Sequence, residues 1–221
     1  MTVPSAQNAP ERAWLVLAPL GDLPRAEVDH SLDELRALAD TSGADIVGHT
    51  VARLRAIQPA TYIGRGKAAQ IAEEAQAANA NLVIFDEDLS PAQSRSLTDL
   101  LGLRIVDRTQ LILDIFARRA LTLEGRLQIE LAQLRYLLPR LRGMWTHLER
   151  QQGGIGLTGP GEKQLELDRR RIGQRINRIR EQVQQVGRRR GELRRGRRRH
   201  GWALLTLVGY TNAGKSTLLN R

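Results

Sequence analysis

The sequence predicts an α/β protein: a small parallel-sheet domain at the amino end, an antiparallel α-helical hairpin, then the first strand and phosphate-binding loop of a further domain. Three observations carry this reading. Apolar strand-like runs alternate with helix-period segments over residues 13–117. Leucine and isoleucine then recur at alternating steps of three and four along two later segments. Finally, Gly209-Tyr210-Thr211-Asn212-Ala213-Gly214-Lys215-Ser216-Thr217 fits the pattern G-x-x-x-x-G-K-[ST].

Residues 1–12 form a polar, Pro-containing tail expected to be disordered. Ala13–Ala18 reads as the first strand. Ser31–Ala39 has helical apolar spacing, with Ser31 and Glu34 fitting a capping box and Gly43 as the stop. Ile46–Leu54 is the second strand, ending before Pro59. Gly66–Asn79 is an alanine-rich helix, and Leu82–Phe85 a buried-type strand. Ser90-Pro91 opens the next helix with a cap and a first-turn proline. Leu103–Val106 is the last strand.

From about Leu111 the pattern becomes continuous helix, and the hairpin is assigned to residues 118–200. Leu127, Leu131, Leu134, Leu138 and Leu141 form one seam; Leu165, Ile172, Ile176, Ile179, Val183, Val186 and Leu193 form its match. Pro139 is expected to kink the first helix or end it early, and Arg169 and Arg190 to interrupt the second seam. The connection, residues 143–162, is glycine-rich and longer than bundle loops usually are, so it is either functional or disordered.

The net charge of +10 is unevenly placed. Residues 1–162 carry a net −3, while residues 163–200 carry a net +11. Arg169, Arg170, Arg171, Arg175 and Arg178 dominate the basic segment, and only Glu166, Asp168, Glu181 and Glu192 lie among its cations. A solvated helix face would interleave more acidic partners, so RNA phosphates are the expected ligand. No aromatic residue lies between 163 and 200, which leaves backbone charge and shape rather than base stacking as the basis of recognition.

In the terminal motif, Gly209 and Gly214 allow the tight curl that turns backbone N–H groups toward phosphate oxygens. Lys215 supplies a compact cation and Ser216 a hard oxygen for Mg²⁺. The apolar run Ala203–Val208 before it reads as a buried parallel strand, and the helix after it begins at Thr217. The alternative is a chance match in a glycine-rich loop. With only four residues beyond the motif, the sequence reads as a fragment cut inside a catalytic domain, over residues 201–221, and is not expected to hydrolyse a nucleotide by itself.

Other groups read as structural. Tyr62-Ile63-Gly64-Arg65-Gly66-Lys67 is a tight strand-to-helix turn before it is an anion site. Asp86, Glu87 and Asp88 read as a solvated turn, and His30, His49, His147 and His200 lack metal spacing. Cysteine is absent, which excludes disulfides and thiolate metal sites. No apolar run reaches the roughly 18 residues of a membrane span, and residues 1–10 lack a secretory pattern, so a cytoplasmic protein is expected.

Several stretches together resemble HflX-type GTPases: residues 60–67, 83–91, 107–116, 130–141, Gly159-Pro160-Gly161-Glu162 through Arg170, and Gly209–Ser216. The resemblance runs from about residue 13 to the end. Lys163, where threonine is common, and Leu219, where phenylalanine is expected, depart from the family pattern. The resemblance implies a cytoplasmic, monomeric GTPase that binds the large ribosomal subunit and its RNA, with subunit splitting or rescue of stalled ribosomes as the outcome in some members. It implies a Ras-like G domain, GTP or GDP phosphates held by residues 209–217, Mg²⁺ held by Ser216, and Gly159, Pro160 and Gly161 at the hairpin tip near ribosomal RNA. The preference for guanine comes from this resemblance alone. A second reading is a non-catalytic RNA-binding module that acts through the hairpin without nucleotide.

Overall fold

A computed structural model of the chain describes residues 11–144, 160–199, 206–209 and 213–219. It divides into two units, Met1–Arg180 and Glu181–Arg221.

The first unit begins at strand β1 (Arg12–Leu17), followed by α1 (Arg25–Ser42), β2 (Asp45–Val51), α2 (Arg65–Ala77), β3 (Leu82–Phe85), α3 (Pro91–Leu101), β4 (Arg104–Val106) and α4 (Arg108–Arg119). The sheet order is β2-β1-β3-β4 with every pairing parallel, as the β-α rhythm predicts. All four residues of β3 are buried, the pattern of a parallel strand covered on both faces. Val16, Val83, Phe85 and Ile105 pack on one face with Ile71 and Ala75 of α2 and Leu97 and Leu101 of α3. On the other face Leu15, Ile84 and Val106 pack with Leu35 and Ala39 of α1 and Leu111 and Ile115 of α4. The result is a three-layer sandwich. The chain runs from β1 outward to β2, then crosses to β3 on β1's other side, so the strand order switches between β1 and β3.

Helix boundaries follow local chemistry. Ser90 caps α3: its Oγ accepts from the Gln93 N–H at 3.2 Å, while the Gln93 side chain accepts from the Ser90 N–H at 2.9 Å. Gly43 stops α1 at φ 82°, a conformation that favours glycine. The expected capping box of Ser31 and Glu34 is not formed. α1 starts two turns earlier at Arg25, behind Pro24, because Val28 and Leu32 already carry its buried stripe. β2 ends at Val51, and Leu54 makes only an isolated bridge to Leu20.

The continuous helix expected from Leu111 is broken after Arg119. Thr122 restarts it, its Oγ1 accepting from the Gly125 N–H at 3.0 Å, and α5 runs Leu123–Met144. Pro139 lies inside α5 without ending it. Helix α6 spans Pro160–Arg199 and therefore crosses from the first unit into the second. Both ends of the predicted 143–162 connection are helical, and residues 145–159 lie outside the described residues. The α5 seam holds: Leu127 and Leu141 are buried, with Leu131, Leu134 and Leu138 partly covered. In α6, Ile176 and Ile179 are buried, whereas Leu193 is 60% exposed and takes no part. Helix α7 is Lys215–Leu219.

Candidate functional site

The phosphate-loop motif lies in the second unit. Gly214 has φ 78°, and its carbonyl accepts from the Leu218 N–H at 3.0 Å as α7 begins. The Lys215 ammonium donates to the Gly209 carbonyl oxygen at 2.6 Å, so the lysine folds back over its own loop. Ser216 and Thr217 are exposed in the first turn of α7. Tyr210, Thr211 and Asn212 lie outside the described residues, and Ala213 is exposed. The buried strand expected before the motif is not seen where the chain is described. Thr206–Val208 pairs with no strand among the described residues, and Val208 is 88% exposed. A parallel strand needs neighbours to satisfy its backbone and cover its side chains.

The predicted RNA-contacting arginines lie on α6. Arg169, Arg170, Arg171, Arg175 and Arg178 are all exposed, while Ile172, Ile176 and Ile179 turn inward at helical spacing. The structure adds acidic partners that the charge count underweighted. Arg170 pairs with Glu166 at 3.0 Å and Arg171 with Asp168 at 3.6 Å. Arg175 reaches Glu130 of α5 at 2.7 Å. Pro160 and Gly161 lie in the first turn of α6, and Gly159 lies outside the described residues.

Sequence reasoning missed a polar constellation at the carboxyl ends of β1 and β3, the switch point where open parallel sheets commonly bind ligands. The turn expected to be solvated at Asp86, Glu87 and Asp88 is instead bonded at every carboxylate, with Asp86 and Glu87 half-buried and Asp88 exposed. Arg108, at the start of α4, bridges Asp86 and Glu34. Asp88 accepts from the Thr109 hydroxyl at 2.6 Å. Glu87 Oε1 accepts from the Ala18 N–H at 2.6 Å, while its Oε2 is enclosed without a partner. Burial raises the Glu87 carboxyl from 4.5 to about 7, against the pull of its backbone hydrogen bonds. Asp86 is also raised, chiefly by burial.

Beside it, Asp107 is buried and caps α4, accepting from the Gln110 N–H at 2.9 Å. It also accepts from Arg140 of α5 at 2.9 Å. The Arg140 guanidinium stacks 3.4 Å above the Tyr136 ring centroid. Burial, then a hydrogen bond to Asp107, pushes the Tyr136 hydroxyl above the usual phenol range. The legible signal was Asp107 ahead of a helical run, an N-cap pattern; its second partner lies 33 residues on.

Tyr62–Lys67 is the tight turn expected. Tyr62 sits at φ 62°, exchanges backbone hydrogen bonds with Gln58, and leads through Gly64 into α2. Among the described residues no three His, Cys, Asp or Glu side chains are grouped to hold a metal, and no helix is long and apolar enough to cross a membrane. His147 and His200 lie outside the described residues.

The comparisons define the class. Residues 29–117 match the family described as GTP-binding GTPase N-terminal, and residues 119–197 match GTP-binding GTPase Middle Region. The division near residue 118 is where α4 gives way to α5. The chain is 50% identical over 190 residues to GTPase HflX of Escherichia coli (strain K12), covering 86% of this chain and 45% of that protein. It is 49% identical over 195 residues to GTPase HflX of Alkalihalophilus pseudofirmus, covering 88% of this chain and 46% of that one. Among solved structures, a GTP-binding protein from Sulfolobus solfataricus in complex with GDP aligns with a TM-score of 0.53 at 22% identity, covering 95% of this chain and 52% of that one. That likeness is one of fold.

The chain belongs to the HflX family of GTPases. It spans about half the length of the curated relatives it matches.

Proposed function

We propose that this chain is the ribosome-docking portion of a cytoplasmic, monomeric GTP-binding GTPase, with α5 and α6 forming an antiparallel hairpin that engages large-subunit RNA. One observation carries the proposal: Arg169, Arg170, Arg171, Arg175 and Arg178 of α6 are all exposed while Ile176 and Ile179 are buried, so packing leaves the charge facing outward. The Arg175–Glu130 pair supports the hairpin. Glu130 lies 14 residues before Met144, and Arg175 lies 15 residues after Pro160, the matched offsets of two helices folded back on each other. Each exposed arginine adds a counterion-releasing phosphate contact. Arg169 and Arg178, which carry no acidic partner among the described residues, are the strongest candidates. Gly159, Pro160 and Gly161 would stand at the tip.

Residues 209–217 would hold the phosphates of GTP or GDP, within the first strand and loop of a Ras-like domain. The fit to Mg²⁺ is that of a phosphate-borne ion. Ser216 offers one exposed hard oxygen, and waters and phosphate oxygens would supply the remaining ligands. Subunit splitting or rescue of stalled ribosomes is the family outcome we assign to the whole protein.

The second reading, docking without nucleotide, is favoured by the Lys215 contact to Gly209, which occupies the ammonium inside its own loop. Co-sedimentation with large ribosomal subunits over a salt series, with and without GTP, separates the two. The chain is expected to bind with steep salt dependence, and Arg169→Glu with Arg178→Glu to weaken binding by about tenfold or more. Binding that ignores both GTP and Lys215→Ala selects the second reading. Unchanged affinity after charge reversal rejects the arginine face in either.

A further inference from the structure

The first unit contains a cleft of about 710 Å³ that neither the phosphate loop nor the arginine face uses. It opens where the edge strand β4 meets α3, α4 and α5. Its volume lies in the range of about 300–1,000 Å³ typical of small-molecule sites. Ile105, Leu113, Leu134 and Leu137 make its walls predominantly apolar.

The charges around it pair off except at two groups, Arg95 and Asp114. Three guanidinium groups line the cleft, and two have a carboxylate partner: Arg104 pairs with Glu11 at 2.8 Å, and Arg140 pairs with Asp107 at 2.9 Å although its Nε is enclosed without an acceptor. Arg95 of α3 has no acceptor among the described residues, and its Nε is enclosed without one. A partly buried guanidinium without a hydrogen-bond acceptor is costly, and a charge-assisted bond to an incoming anion would relieve it. On the acidic side, Glu130 is neutralised by Arg175 at 2.7 Å. Asp114 is held by the Gln133 amide at 3.3 Å, and burial raises its carboxyl above the usual range.

We propose that this cleft binds a small amphipathic anion, with a ring-sized apolar body against Ile105, Leu113 and Leu134 and a single carboxylate, sulfonate or phosphate group held by Arg95. Because α5 forms one wall and the α/β sandwich the others, such a ligand joins the two and stiffens α5 on the domain. The site needs neither the phosphate loop nor ribosomal contact.

The test uses the 221-residue chain and 8-anilinonaphthalene-1-sulfonate, whose naphthyl and phenyl rings and single sulfonate match the cleft. One saturable site is expected by fluorescence titration, with backbone amide shifts confined to α3, β4, α4 and α5. Arg95→Gln is expected to weaken binding about tenfold, while Arg95→Lys retains most of it. Neutral N-phenyl-1-naphthylamine, which lacks the sulfonate, should be indifferent to Arg95→Gln. Inorganic phosphate should fail to displace the probe, since it cannot fill the apolar walls. Thr98→Trp, placed on the exposed side of the α3 lining, should block entry without disturbing the fold. Equal affinity in Arg95→Gln, unimpeded binding in Thr98→Trp, displacement by free phosphate, or shifts confined to other parts of the chain would each overturn the proposal.

Discussion

Arg140 Nη2 on α5 lies 2.9 Å from Asp107 Oδ2 at the start of α4, and the Asp107 side chain is 1% exposed. The same guanidinium nitrogen donates to the Leu89 carbonyl at 2.6 Å. One side chain thus ties the helical region to the cap of α4 and to the segment leading into α3. A buried pair of this kind adds little over an apolar replacement, but breaking it leaves an uncompensated charge.

Asp107→Asn keeps the acceptor that caps α4 and removes the charge facing Arg140. Urea unfolding should show a loss of about 3 kcal/mol. Adding Arg140→Met should recover part of that loss, with a coupling of about 1–3 kcal/mol in the double-mutant cycle. Strict additivity would mean that the pair does not act as a unit.

Glu87 should make stability fall as pH rises. Its folded carboxyl titrates at about 7 against 4.5 for an ordinary glutamate, so between those values the folded protein holds a proton that the unfolded chain has released. The contribution is therefore present below about 4.5 and lost through about 7, with an upper bound of about 3 kcal/mol. Asp86 and Asp114 are shifted in the same direction and act with the same sign. Glu87→Gln retains an oxygen for the Ala18 N–H, so it should stabilise the protein at about pH 8 and flatten the profile. Urea midpoints at about pH 5 and about pH 8 provide the check.

Gly48 is required by a neighbour rather than by its own backbone. A Cβ added there would lie 2.1 Å from the Trp14 ring, which is anchored by its Nε1 donating to Thr50 Oγ1 at 2.9 Å. Thr50 in turn donates to Glu74 at 2.5 Å. Gly48→Ala should destabilise by about 1–3 kcal/mol through overpacking, and Trp14 fluorescence should change with it. A neutral substitution would mean that the indole has room to rotate away.

The two serines of the capping-box patterns should behave oppositely. Ser90→Ala removes a formed cap and should cost about 1 kcal/mol in thermal or urea unfolding. Ser31→Ala changes a residue inside α1 and should be close to neutral, within about 0.5 kcal/mol. Equal costs would contradict the observed start of α1 at Arg25.

Local chemistry was legible wherever a residue's partner lies within a few positions. The Ser90–Gln93 cap, the Gly43 stop, the apolar run Leu82–Phe85 and the leucine spacing of α5 all appear in the sequence as they do in the fold, since each depends on backbone period or on a neighbour in the same turn. The order β2-β1-β3-β4 was not legible beyond its parallel class. Nor were the Arg108 bridge from Asp86 to Glu34, the burial of Glu87 beneath Ala18, the Arg140–Asp107 tie or the unanswered charge of Arg95. Each of these joins or isolates groups tens of residues apart, and only the packing of sheet against helix decides which charges lose their water and which find a partner. Composition placed the arginines on one helix; tertiary structure turned Ile176 and Ile179 inward and left the guanidinium groups outside.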